Sequence, residues 1–285
     1  MLSTVPRRYS RAVRQYLELL REVMERGVDR PDRTRTGTRA LFGLQMRFRM
    51  ADGFPIVTTK RVSFESLKAE LLWFISGSSD VNDLRRLGAR IWDANADADY
   101  WKPKARFKGD VGRIYGVQWR HWRRPDGGEI DQLAEAIRLI REEPSSRRIV
   151  VNAWNPAELD EMALPACHAF FQFFVSRGTL SLQMYQRSCD LFLGVPFNIS
   201  SYALLLHMVA QITELQPGEF VHTLGDAHIY HSHFEQVREQ LRREPLPLPR
   251  LELDPGVRDI DGFGMSSARL SGYEHHAAIG AKMAV

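Results

Sequence analysis

Apolar residues recur at helical spacing near the start of the chain, where Val13, Tyr16, Leu17, Leu20 and Val23 share one face. This predicts an amphipathic helix over residues 9–26, stopped near Gly27. The polar stretch 32–38 reads as a loop and 41–50 as a strand. Residues 64–76 predict a second helix, ended by Gly77, and Glu70 stands inside its otherwise apolar sequence. A long irregular region, 93–116, is rich in Asp, Lys and Gly and ends in Tyr115-Gly116-Val117-Gln118-Trp119-Arg120. Such loops in compact proteins are often functional.

Further along, 130–143 has helical periodicity, and Arg147-Arg148 stand before a β-branched strand at 149–151. Phe170, Phe171, Phe173 and Phe174 mark another strand. The next alternates Leu180, Leu182 and Met184 with Ser181, Gln183 and Tyr185, aiming one face at a core and the other at something polar. A helix at 199–213, a short strand at 220–222, a helix at 233–243 and a proline-rich turn at 245–249 follow. The 199–212 run is the most apolar, but it contains Ser200, Ser201, His207 and Gln211 and falls short of the roughly 20 residues that cross a bilayer. A buried core helix, with no membrane contact, is expected. Strands and helices without βαβ alternation, repeats or a linker predict one α+β domain over residues 1–285, a large mixed sheet covered by helices.

The 285 residues, 44% of them hydrophobic, exclude disordered and fibrous classes. Lys and Arg number 39 against 35 Asp and Glu; the resulting +4 is too mild to identify a nucleic-acid binder and suits an anionic small ligand equally. The basic stretch from Arg7 to Arg26 is broken by Glu18, Glu22 and Glu25, and no apolar signal core follows, so it reads as folded and uncleaved. Two cysteines make no disulfide framework, and a reducing, cytoplasmic setting is the simplest expectation.

There is no Gly-x-Gly-x-x-Gly fingerprint and no Walker phosphate loop, so a bound phosphate must be held by side chains. Arginine suits that task because its planar fork donates paired hydrogen bonds. Arg33 in a loop, Arg147 and Arg148 before a strand and Arg187 at a strand exit are the candidates, with solvated surface as the alternative for each. Cys167 and Cys189 are each either an inert core thiol or a nucleophile; a nucleophilic thiol needs a neighbouring cation, and Arg187 could serve either. The histidines at 222, 228, 231 and 233 match no standard zinc spacing, so no metal is expected. Asp226, His228 and Tyr230 suit a sugar hydroxyl, or ordinary structural contacts.

Taken together, Cys167-His168, Gln186-Arg187-Ser188, Leu193-Gly194-Val195-Pro196-Phe197-Asn198 and the run from Thr223 to Tyr230 resemble the thymidylate synthase family in order and spacing. The likeness extends through Asp32-Arg33-Thr34, Phe54-Pro55-Ile56-Val57-Thr58-Thr59-Lys60, Glu70-Leu71-Leu72-Trp73-Phe74, Ile91-Trp92-Asp93 and Arg147-Arg148-Ile149 to Met283-Ala284-Val285, nearly the whole chain. It implies a thymidylate synthase-like fold and reductive methylation of dUMP to dTMP, with 5,10-methylenetetrahydrofolate as carbon and hydride donor and no metal. Cys167 would add to C6 of uracil, helped by Arg187, and each unit of pKa lowering there corresponds to about 1.4 kcal/mol in favour of the thiolate. Cys189 would be structural.

The resemblance implies a homodimer in which Arg33 and Arg187 of one subunit and Arg147 and Arg148 of the other hold the dUMP phosphate. Asn198 would read uracil, His228 and Tyr230 the ribose hydroxyl, and Ser188 and Asp190 would complete the pocket. Glu70 and Tyr115 would organise proton relay; with Cys167, Arg187, Asp190 and Asn198 they make the catalytic set. Lys60, Trp92, Asn95, Asp190, Gly194, Phe197 and Val285 would contact or enclose folate.

The chain departs from the usual family pattern at Arg35, where glycine is common, and at Arg113, where proline is common. The residues 273–280 lack the frequent His-Pro and add a glycine, which predicts a more flexible tail. Two rivals follow: a dUMP hydroxymethylase of the same fold, in which water replaces hydride, and a noncatalytic RNA-binding protein suggested by the pI near 9.2. Asn198 argues against a cytosine-specific hydroxymethylase, and the intact Cys167, Arg187, Asn198 and Glu70 argue against lost catalysis; no motif supports RNA binding.

Overall fold

The structure, a computed structural model, describes residues 13–32 and 35–282. Its strands in chain order are β1 Val28–Arg30, β2 Thr38–Arg49, β3 Trp122–Arg123, β4 Glu129–Ile130, β5 Val150–Asn152, β6 His168–Ser176, β7 Thr179–Asp190, β8 Gln216–Tyr230, β9 Arg250–Leu253 and β10 Ala268–Ser271. The helices are α1 Arg14–Arg26, α2 Phe64–Ile75, α3 Val81–Arg86, α4 Asp93–Ala96, α5 Tyr115–Arg120, α6 Gln132–Glu142, α7 Gly194–Ile212 and α8 Phe234–Leu241.

Six strands form the main sheet in the order β1-β2-β8-β7-β6-β5, antiparallel throughout except for the parallel pair β7–β8. The expected α+β fold on a large mixed sheet is therefore present. A two-residue loop joins β6 to β7, with Arg177 and Gly178 both at positive φ (50° and 72°), the backbone that closes a twisted hairpin tightly. One sheet face meets α7, whose side chains pack on β7 and β8, while α1 packs on β2 and β8. Trp73, Trp119, Tyr16, Phe171, Phe173 and Phe220 are among the largest side chains sealed in this core. On the other face, Phe42, Phe170 and Phe174 stay 82%, 40% and 65% exposed.

Several elements differ from the sequence expectation for local physical reasons. The short strand expected at 220–222 is instead the 15-residue β8, paired on both sides. Its glycines obscure it in the sequence but are required by crowding: a Cβ at Gly218 would lie 2.6 Å from Ser181 Oγ, and one at Gly225 2.8 Å from Tyr185 Oη. Helix α7 begins five residues before the expected start, because Pro196 sits in the first turn, where its missing N–H leaves no bond unmade. This puts Gly194, Phe197 and Asn198 on a helix. Although α7 is long and apolar enough to cross a membrane, most of its residues are buried inside the protein.

Tyr115 and Gly116, expected to close the irregular region 93–116, instead open helix α5, which runs to Arg120. Gly116 permits it to press on α2, since a Cβ there would meet the Phe74 carbonyl at 2.3 Å. The expected helix at 9–26 is described from Arg14; its first residues, with the N-terminal basic stretch before residue 13, lie outside the described part. Arg35 has a φ of 59°, the left-handed region that explains why glycine is favoured there. The tail expected to be flexible is fastened as far as residue 282. His276 N donates 2.8 Å to Thr58 O, Arg243 Nη1 donates 2.6 Å to Ala277 O, and His233 Nε2 lies 2.8 Å from Lys282 O.

Candidate active site

Cys167 immediately precedes β6 and is half-buried. Its N–H donates to Tyr115 Oη at 2.8 Å, and its carbonyl accepts from Arg187 N at 2.8 Å. The Arg187 side chain binds the same segment: Nε donates to Ala166 O at 2.9 Å and Nη2 to Pro165 O at 2.8 Å. Its guanidinium lies 4.8 Å from the Trp154 ring centroid. A loop that a proline turn would leave free is thereby pinned to β7, with a fixed positive charge beside the thiol.

That charge does not achieve the net lowering the sequence suggested. Burial, the largest influence, pushes the Cys167 thiol up; Arg187 and the Tyr115 hydroxyl lower it, and Asp190 raises it, with an upward result. The arginine reduces the energetic cost of a thiolate without cancelling it. Cys189 is wholly buried, its Sγ donating to Gln186 O at 3.2 Å, and burial pushes its thiol far above the ordinary value. Only Cys167 is both reachable and faced by a cation.

Behind Cys167, Tyr115 packs against Phe74, Trp92 and His168. Burial holds its phenol well above 10, so it is neutral; accepting from Cys167 N leaves its own proton to donate. Glu70 accepts from Trp92 Nε1 at 2.7 Å. The residue retains some exposure, but its carboxyl is deep, and burial pushes it up to about 7 against the lowering effect of Trp92.

A rise from 4.5 to about 7 means that the folded chain prefers protonated Glu70. Glu70 therefore lowers stability as pH rises across that interval, by about 3 kcal/mol in all. Compared with wild type, Glu70→Gln should gain most of that amount at pH 8 and little at pH 4.5. Urea unfolding of both proteins at the two pH values checks this; a difference that does not change with pH would contradict it.

Asn198, on the first turns of α7, accepts through Oδ1 from Gln186 Nε2 at 3.1 Å, and Gln186 Oε1 lies 2.8 Å from His222 Nε2. The Asn198 carbonyl, which the resemblance assigns to reading uracil, thus has one lone pair engaged by Gln186 and one remaining. Asp190 Oδ1 accepts from the N–H groups of Phe192 and Leu193 (3.0 and 3.1 Å), fixing the turn into α7. Lys60, expected in the folate site, is buried with Nζ 2.5 Å from Phe192 O and 3.6 Å from the Phe192 ring centroid. Burial lowers its pKa to about 7 against the opposing pull of Asp190.

His228 is buried with Nδ1 3.1 Å from Asp226 Oδ1, and its ring meets Tyr230 edge-on. Ser188 lies opposite Asp226 across β7 and β8. Arg147 and Arg148 are exposed in the segment before edge strand β5, apart from the Cys167 cluster. Asn95 is half-buried on α4. Arg33 and Val285 lie outside the described residues. Among the described residues, no cluster of three His, Cys, Asp or Glu suits a metal ion.

The thymidylate synthase family profile matches residues 14–285. The chain belongs to the thymidylate synthase family. Membership carries one-carbon transfer to a nucleotide with a folate co-substrate. In this member of the family, three residues beyond those assigned from sequence support the cluster. Gln186 bridges Asn198 and His222. His168 lies against Tyr115 with the two rings tilted by 43°, and burial lowers its pKa to about 4 while Asn198 opposes the shift. Trp154 underlies Arg187. Gln186 had a signal, a polar residue continuing the inward row of Leu182 and Met184; Trp154 had none, because its partner is distant in sequence.

Proposed function

We propose that the chain converts dUMP to dTMP with 5,10-methylenetetrahydrofolate, Cys167 being the nucleophile. The observation that carries this reading is the convergence on one reachable thiol of the Arg187 guanidinium, the Tyr115 hydroxyl and the Asp190 carboxylate, in a chain of this family. Cys167 Sγ adds to C6 of uracil, moving an electron pair to C5 and O4. Asn198 holds the ring through its free lone pair on N3–H and its amide N–H on O4. Arg187 balances the incoming phosphate as well as the thiolate, together with Arg33, and His228 and Tyr230 hold the ribose hydroxyl. Ser188 lines the same wall.

Folate supplies the carbon and the hydride when bound. Gly194 opens α7 between Asp190 and Asn198, where an added Cβ would lie 3.7 Å from Asn198 Oδ1 and 3.8 Å from Asp190 Cβ, so the glycine presents no side chain to a flat ring placed beside the base. Asp190, Trp92, Asn95, Phe197 and Val285 would hold it, with Lys60 acting from beneath through the Phe192 turn. A carboxyl with a pKa near 7 both accepts and donates protons at neutral pH, so Glu70 manages the proton lost from C5, with Trp92 and Tyr115 ordering the path.

The working unit is a homodimer formed through the open sheet face, where Phe42, Phe170 and Phe174 are too exposed to suit water. Twofold pairing of such a face lets Arg147 and Arg148, which make no side-chain ion pair or hydrogen bond within their own chain among the described contacts, reach the partner's phosphate site. The reaction belongs in the cytoplasm.

A turnover assay with dUMP and methylenetetrahydrofolate, following dihydrofolate absorbance and identifying the nucleotide by mass, tests the reading. dTMP with equimolar dihydrofolate is expected. A hydroxymethyl nucleotide with tetrahydrofolate would transfer the chain to the hydroxymethylase reaction, and no product from folded protein would remove the enzymatic reading.

A further inference from the structure

Arg113 and Glu158 form an ion pair almost sealed from solvent, with relative exposures of 6% and 5% and an Nε to Oε2 distance of 2.6 Å. Glu158 Oε2 also accepts from Gln118 Nε2 at 2.7 Å, and Oε1 lies 3.3 Å from Arg123 Nη1. Burial raises this carboxyl, but the hydrogen bonds of Gln118 and Arg113 and the two arginine charges outweigh it and hold it below the usual range. The catalytic chemistry uses neither residue, so a costly buried pair needs another reason.

Its location supplies one. Backbone bonds join the segment before α5 to the segment before Cys167: Arg113 N donates to Glu161 O at 2.9 Å and Ala163 N to Val111 O at 3.0 Å. Tyr115, whose hydroxyl holds Cys167, is two residues past Arg113. Helix α5 is only six residues long and has no side-chain cap, so it does little to fix its own position. The charge network joins α2 in fixing it: Gln118 Nε2 donates to Arg113 O at 2.8 Å, and Arg113 Nη2 donates to His121 O at 2.5 Å at the other end, while Arg120 Nη1 donates to Ile75 O of α2 at 2.8 Å. Asn155 Nδ2 reaches Gln118 Oε1 at 3.4 Å, tying in the residue next to Trp154, the platform for Arg187.

We infer that Arg113 and Glu158 are positioning residues, a buried brace that sets Tyr115 and the Trp154–Arg187 contact against the Cys167 thiol. This deepens the reading of Cys167 as nucleophile. The charged and titratable groups facing that thiol are Arg187, Asp190 and Cys189 from β7 and Tyr115 from α5. The brace controls the two that favour the thiolate, Arg187 and Tyr115.

The test is the pH dependence of Cys167 alkylation by iodoacetamide, located by mass, with kcat and KM measured on the same full-length chain. Glu158→Gln should move the alkylation midpoint up by about half a pH unit or more, through loss of thiolate-favouring contacts. It should also lower kcat about tenfold with KM for dUMP nearly unchanged, as expected for lost orientation. Arg113→Lys, which keeps the charge but loses the fork, should give a smaller shift in the same direction, and it serves if Glu158→Gln does not fold. A wild-type midpoint in the folded variant overturns the brace, even if KM rises. A shifted midpoint in a chain whose wild type makes no dTMP supports the brace and removes the proposed reaction.

Discussion

Cys167→Ser should abolish turnover while dUMP still binds, because a serine hydroxyl is a much harder and far less acidic nucleophile than a thiol. The expected loss is on the order of a thousandfold or more. Cys189→Ala should remain active, since that thiol is buried, bonded to Gln186 O and held protonated. Steady-state rates of the two variants, with equilibrium dUMP binding to Cys167→Ser, check the pair of expectations. An active Cys167→Ser would remove the nucleophile assignment. Loss of activity in a folded Cys189→Ala would mean that the two cysteines have been assigned the wrong way round.

The second large effect is recovery of activity on mixing two weak proteins. If Arg147 serves the partner's site, an Arg147→Ala subunit keeps its own Cys167 and borrows the intact arginine of a Cys167→Ser partner. Random exchange of equal amounts makes half of the dimers mixed, each with one complete site and one doubly damaged. About a quarter of wild-type sites should therefore return, against little activity from either protein alone. The measurement is turnover before and after subunit exchange, with exchange confirmed by mass or by a tagged subunit. Confirmed mixed dimers without recovery would show that each site is built from one chain.

The inferred dimer also gives a reason for the contrast between the two sheet faces. The inner face carries Phe171, Phe173 and Phe220, with Tyr202 of α7 against Phe171 and Phe220 and Trp119 of α5 against Phe171, as an ordinary core does. The outer face pairs Phe170 with Tyr185 and interleaves Gln45, Gln183 and Thr223 through hydrogen bonds. A face that is partly apolar and partly polar matches a surface that meets another protein more than a domain interior. The alternation of Leu180, Leu182 and Met184 with Ser181, Gln183 and Tyr185 announces this two-sidedness in the sequence, but not what the second side meets.

The sequence by itself determined the elements whose signal is local. Helix α1 is legible because five apolar residues fall on one face, and β7 because its side chains alternate strictly. The motifs around Cys167, Arg187 and Asn198 were legible as a family likeness, and Glu70 stood out as a carboxyl within an apolar helix. The tertiary structure decided what depends on neighbours distant in sequence. Strand β8 runs 15 residues because two strands flank it, despite glycines that lower its own propensity. Helix α5 exists because α2 and the Glu158 network hold six residues that lack a cap. The direction of the Cys167 shift and the Gln186 claim on Asn198 follow from burial and from partners brought together by folding. Charge and hydrogen-bond energies depend on distance and solvent, and chain order specifies neither until the chain has packed.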